Sequence, residues 1–181
     1  MSCDLGYHLV TVAVLTREII LQELDSGRLK IDPFSRDQVG VASVDLTLGS
    51  EIRVIEPTAD PIEVKESTDY RDYTRVQSLE EPFVLLPGVT IHGVTREVLS
   101  LPPDLCGFLE GRSRFARLGL MIHVTSAFVQ PGVANRQVLE MSNVSSEPLQ
   151  LYAGVRVCQI VLMRTEGSAV YTGRFSDQQG I

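Results

Sequence analysis

"FVLLPGVTIHGVTREVLSLPPDLCGFLEG", residues 83–111, decides the fold. Apolar runs of strand length are cut by Pro87-Gly88 and Pro102-Pro103, and Gly111 closes the stretch. Short runs rich in Val, Leu and Ile and bounded by turn residues read as strands. The punctuation continues at Pro131-Gly132, Pro148 and Gly154, predicting strands over 83–86, 89–99, 105–110, 135–144, 149–152 and 155–165. Such a succession points to a sandwich, a jelly roll or a distorted barrel.

Upstream the pattern changes. "LTREIILQELDSGRLKIDPF", residues 15–34, has helical spacing, with Ile19, Ile20 and Leu24 on an apolar face. Thr16 is a natural N-cap, Glu18 lies in the first turn, and Gly27 stops the helix. In "GVASVDLTLG", residues 40–49, Val41, Ser43, Asp45 and Thr47 alternate with Ala42, Val44, Leu46 and Leu48, the period of a half-buried strand. Residues 56–82 are charged, weakly periodic and interrupted by Pro57, Pro61 and Pro82, and read as a long loop. The tail "GRFSDQQGI" is polar and Gly-bounded and is expected to be mobile when nothing is bound.

The chain has 181 residues, enough for one domain with a real core. We expect a single domain over 1–181, with an extension at 1–14 and a flexible lid at 171–181. A net charge of −7 argues against a nucleic-acid or membrane-surface binder. Tryptophan is absent and aromatics make up only 6%, which disfavours a stacking platform for single strands. Cys3, Cys106 and Cys158 form no C-x-x-C pair, as fits a reducing cytosol, and Cys106 and Cys158 lie in core-like runs. Neither a membrane-length apolar stretch nor a secretory signal is visible, so a cytoplasmic location is the expectation.

Two constellations have chemical potential. "EGRSRFARLGL", residues 110–120, places Arg112, Arg114 and Arg117 around Ser113, and a turn entering a brief helix would aim N–H and guanidinium groups at one spot. A solvated basic turn pairing with surface acids accounts for the same residues about equally well. In "QVLEMSNV", alternation puts Val138, Glu140 and Ser142 on one face and Leu139 and Met141 on the other. An exposed strand acid is the commoner outcome by roughly two to one; a half-buried one is suited to proton transfer. Asp45 reads as structural, holding a neighbouring loop. His123 reads as a satisfied core residue, while His8 and His92 have no partners nearby in sequence. The zinc-deaminase signature, H-E-x-x-H, the Walker A loop and G-x-G-x-x-G are all missing.

In this order "VASVDLTLG", "GRSRFARLGL", "HVTSAFVQPG", "VLEMSN", "AGVRVCQIVL" and the tail "DQQG" resemble the dCTP deaminase family of the deaminase/dUTPase superfamily. The likeness spans most of the chain and is strongest over 107–165. "GRS" and the G-x-R-x-x-Q of Gly154, Arg156 and Gln159 are shared with trimeric dUTPases, whereas "VLE" at 138–140 marks the deaminases.

The resemblance implies a mainly β, distorted-barrel or jelly-roll-like dUTPase-type fold, with an N-terminal helix and a short helix after the GRS motif. It implies a homotrimer with interfacial active sites, hydrolysis of dCTP to dUTP and ammonia, Mg²⁺ accompanying the triphosphate, and no zinc. Glu140 falls on the catalytic glutamate, and Ser113 and Arg117 on the residues supporting it. Arg112, Ser113, Arg114, Arg117 and Gln159 fall among the substrate-binding residues, and Val138 among the base-contacting ones. Tyr171, Arg174 and Gln178 fall on the lid over the triphosphate. Gln130 stands where many relatives have Asp, contacting the sugar. A neutral amide hydrogen-bonds a 3′-hydroxyl but is no base, which points to dUTP as the end product. Arg114 replaces a usual serine, Phe128 an arginine, Val133 an aromatic and Arg174 a lysine. Two alternatives remain open here: a dUTP diphosphatase of the same fold, and a non-catalytic nucleotide-binding relative.

Overall fold

A computed structural model describes residues 13–176, 178, 180 and 181. The expected N-terminal extension, with Cys3 and His8, lies outside the described residues except at its last two positions, as do tail positions 177 and 179.

Helix α1, Arg17–Asp25, starts from Thr16 in extended conformation and ends at Ser26, followed by Gly27 at φ 72°. The cap is backbone geometry alone, for the Thr16 hydroxyl makes no capping bond. α1 buries Ile20 completely and also buries Glu23. Arg28 Nε donates to Glu23 Oε2 at 2.9 Å, and Arg164 donates to Glu23 Oε1. Both guanidinium groups also reach Asp104. A buried acid among helical apolar positions is tolerable only with such partners.

Eleven strands follow among the described residues: β1 Lys30–Asp32, β2 Val44–Ile55, β3 Thr74–Ser78, β4 Phe83–Leu85, β5 Thr90–Ser100, β6 Leu105–Gly111, β7 Leu120–Met121, β8 Phe128–Val129, β9 Ala134–Asn143, β10 Leu149–Leu151 and β11 Arg156–Arg164. A short helix α2, Ser113–Ala116, lies between β6 and β7, as expected after the GRS motif. The main sheet runs β7-β9-β5-β2-β11-β6-β8, with β1 added to β5 and β3 to β2, while β10 and β4 make a separate pair.

The expected strands are present, and β1, β3, β7 and β8 are additional. The supposed loop at 56–82 is only partly a loop, for it contains a 3-10 turn, Tyr70–Tyr73, and then β3. β3 forms because β2 continues past the alternating segment to Ile55 and offers it an edge.

β2 is the pivot. Its first half pairs with β11 and its second half with β5, with pairing irregularities between Leu48 and Ile52 and between Arg156 and Cys158. Bulges sharpen the twist and bend a strand, so the sheet curls into a distorted half-barrel. Leu46, Leu48, Ile52, Ile91, Leu139 and Ile160 are fully buried inside it, each contributing about 2 kcal/mol of burial. Cys106 and Cys158 are buried, with burial raising both thiol pKa values. No helix among the described residues is long and apolar enough to cross a membrane.

Candidate active site

β9 carries Glu140. Its inward residues Leu139 and Met141 are fully buried, so alternation turns Val138 and Glu140 to the opposite face, where they line a cavity of about 450 Å³. The backbone N–H groups of Val124 and Thr125 donate to Glu140 Oε2 at 3.2 and 3.1 Å. Two donors on one oxygen fix the carboxylate plane and leave Oε1 with no donor among the described residues. The loop that supplies them runs from the short β7, which pairs with β9 through Leu120↔Asn143 and Met121↔Ser142. The half-buried Glu140 is therefore no solvated strand acid, and it makes no ion pair among the described residues.

Gln130 and Val133 flank the Pro131-Gly132 turn and line the same cavity. Gly132 has φ 74°, and a Cβ there would sit 2.8 Å from the Val170 Cα, so only glycine admits the incoming tail. The tail then crosses the cavity. Tyr171 N donates to Pro131 O at 3.0 Å, Asn135 Nδ2 to Phe175 O at 2.8 Å, and Arg136 N to Gln178 O at 3.3 Å. Tyr171 and Gln178 line the cavity. Arg174 instead donates to Asp69 Oδ2 at 2.8 Å.

Several lining residues carried no sequence signal of a site, among them Tyr70, His92, Asn135 and Phe175. Tyr70 comes from the 3-10 turn within the polar segment 56–82. His92 is paired directly with Glu140 across β5 and β9, and with Arg53 across β5 and β2. Burial holds the His92 imidazole below its usual pKa; the Glu140 charge opposes this and Arg53 reinforces it. His123 reads in the sequence as a satisfied core residue, yet neither ring nitrogen has a hydrogen-bond partner among the described residues. Its pKa is also lowered by burial, against the pull of Glu140.

The basic turn lies elsewhere. None of residues 112–117 lines the Glu140 cavity. Arg112 Nη2 lies 3.0 Å from Asp45 Oδ2, and Arg112 Nη1 donates to Arg156 O at 2.8 Å. Asp45 thus holds a neighbouring loop, as its strand position suggested. Gln159 accepts from Ser43 Oγ at 2.7 Å and donates to Gly111 O at 3.3 Å, which secures the start of the turn. Ser113, Arg114 and Arg117 are exposed. The two arginines make no ion pair among the described residues, so a basic turn neutralised by surface acids describes only Arg112. One chain therefore carries two unjoined parts, a carboxylate cavity under a tail and a cationic turn with unspent charge. Among the described residues no group of three or more His, Cys, Asp or Glu is placed to hold a metal ion.

The family profile described as dCTP deaminase-like matches residues 14–165. Relatives include a protein of Acidothermus cellulolyticus named "dCTP deaminase, dUMP-forming", 38% identical over 176 residues, covering 92% of each chain. A Rhodococcus opacus protein of the same name is 39% identical over 179 residues, covering 92% of this chain and 93% of its own. Among solved structures, a 2′-deoxycytidine 5′-triphosphate deaminase from Agrobacterium tumefaciens superposes with a TM-score of 0.68 at 24% identity, covering 86% of this chain and 49% of that one, and supports the fold. The relatives' names give dUMP as the product, against the dUTP expected from Gln130.

Proposed function

The chain belongs to the dCTP deaminase-like family, and from that premise we propose that it hydrolyses the 4-amino group of dCTP and releases dUMP. The observation that carries this reading is the carboxylate of Glu140, held by Val124 and Thr125 with Oε1 free inside a nucleoside-sized cavity. Oε1 takes a proton from the water attacking C4 and returns protons to N3 and the departing amine. Val138, on the same face, presents backbone groups to the pyrimidine edge. Gln130 hydrogen-bonds the sugar.

The end point dUMP follows the names of the relatives. The whole reaction consumes two waters, one displacing ammonia and one displacing diphosphate. With Gln130 an amide, Glu140 is the one carboxylate among the described lining residues. The second water is therefore activated by Glu140 or by a group from another chain.

The separation of the two parts supports a site completed by a second copy, which the family resemblance makes a homotrimer, with Arg112, Ser113, Arg114, Arg117 and Gln159 of one copy reaching the triphosphate held by a neighbour. The unpaired Arg114 and Arg117 suit that role. Magnesium belongs to this reading as an ion carried on the triphosphate, whose oxygens are the ligands it prefers, and zinc does not. Ser113 and Arg117 then support the Glu140 site across the interface, and Tyr171, Arg174 and Gln178 cover the phosphates. The free, buried Cys106 and Cys158 fit a cytoplasmic protein.

The test is incubation with dCTP and Mg²⁺, and separately with dUTP, with products resolved by ion exchange. dUMP and ammonia from dCTP support the reading. dUTP accumulating from dCTP would overturn the dUMP end point, and no ammonia would overturn deamination.

A further inference from the structure

The register of the main sheet places Arg53, His92 and Glu140 in one row across β2, β5 and β9. Directly opposed side chains stand on the same face with Cβ atoms about 5 Å apart. Tyr70 covers the row, its ring meeting His92 edge-on with centroids 5.5 Å apart, and the Arg53 guanidinium lies 5.7 Å from the Tyr70 centroid. His92 lines the cavity, yet its Nδ1 is shielded from solvent with no hydrogen-bond partner among the described residues. Glu140 has one oxygen occupied by the Val124 and Thr125 N–H groups and one without a donor among the described residues. An unsatisfied imidazole thus adjoins a half-satisfied carboxylate.

We propose that His92 is a positioning residue for Glu140: neutral in the working enzyme, it pairs when protonated with the free carboxylate oxygen and withdraws it from the attacking water. This rests on the deaminase reading. The groups facing His92 are Arg53 from β2, Glu140 from β9 and Tyr70 from the 3-10 turn, and His123 also lies within electrostatic reach of Glu140. Arg53 and burial disfavour the imidazolium, Glu140 favours it, and burial is the largest of the three. Protonation therefore occurs on the acid side of the ordinary histidine range. Below that point the imidazolium and carboxylate pair, and Oε1 no longer accepts a proton from water. His123 has both ring nitrogens shielded, and its chain continues directly into the Val124 and Thr125 donors.

The experiment measures kcat and KM for dCTP from about pH 5 to pH 8 in the unmodified protein, His92→Leu and His92→Gln, alongside NMR titration of the imidazoles in the unmodified protein and Glu140→Gln. Below the His92 titration the unmodified protein should lose about tenfold in kcat per pH unit. His92→Leu and His92→Gln should hold kcat to lower pH with KM within about twofold. In Glu140→Gln the His92 titration should move to lower pH, because the charge favouring the cation is gone. Superimposable acid limbs, or a His92 titration unmoved in Glu140→Gln, would overturn the proposal. If the unmodified protein makes no ammonia from dCTP, the deaminase reading fails, and the NMR titration still decides whether His92 and Glu140 are coupled.

Discussion

Arg174 Nη2 donates to Asp69 Oδ2 at 2.8 Å, so the tail is fastened to the excursion between β2 and β3. Asp69 also accepts from Arg71 N at 3.0 Å, and these contacts lower its pKa, the Arg71 N–H most. If Arg174 covers a triphosphate, it exchanges one anion for another. Asp69→Asn should then free it, speed amide exchange over 171–176, and tighten dCTP binding by up to about fivefold, the scale of one exposed ion pair. Calorimetry alongside hydrogen exchange checks this. Weaker binding would mean that Asp69 holds the tail in its closed form.

Glu140→Gln keeps the size of the side chain and its acceptance of the Val124 and Thr125 N–H groups while removing the base. Ammonia release should fall by at least about 10²-fold, with dCTP affinity within a few-fold of the unmodified protein. Turnover at the original rate would exclude Glu140 as the proton carrier.

Glu23 is 7% exposed and, together with Asp104, balances the charges of Arg28 and Arg164 beneath α1. Glu23→Gln leaves two guanidinium groups short of a charge, although both keep Asp104 and part of their exposure. The expected loss is about 1–3 kcal/mol, read as a lower denaturant midpoint. A midpoint unchanged within error would show that Asp104 suffices.

His92 and His123 are held below the usual pKa by burial. An unfolded histidine takes up its proton near pH 6.5, whereas these do so only at lower pH. Their neutral burial is compatible with full stability above the unfolded pKa, and stability is lost as pH falls through it towards the folded values. Scanning calorimetry should show Tm dropping across that window. The drop should be shallower in a His92→Leu, His123→Gln double variant, and an equal drop would assign acid sensitivity to other groups.

α1, most of the strands and the two faces of β9 were legible because each is a local property. A 3.6-residue or two-residue period needs no knowledge of what lies across the sheet. Glu140 emerged in the same way, as an acid on the solvent-side period of a core strand, and the order of its neighbouring motifs connected it to the family. Tyr70 and β3 were not legible, since they form in a polar segment that orders only because β2 runs long enough to offer an edge.

The pairing of His92 with Glu140 depends on register, and between β5 and β9 the register shifts between Val94 and Val98. A period assigns a residue to a face but never to a partner on the next strand. The same limit concealed the Asp69–Arg174 tie, the lone donor pair on Glu140 Oε2 and the distance between the cationic turn and the cavity. Chain patterning settled which side chains face inward. Strand pairing, bulges and the returning tail settled which of the outward-facing ones meet, because those contacts join residues far apart in the chain.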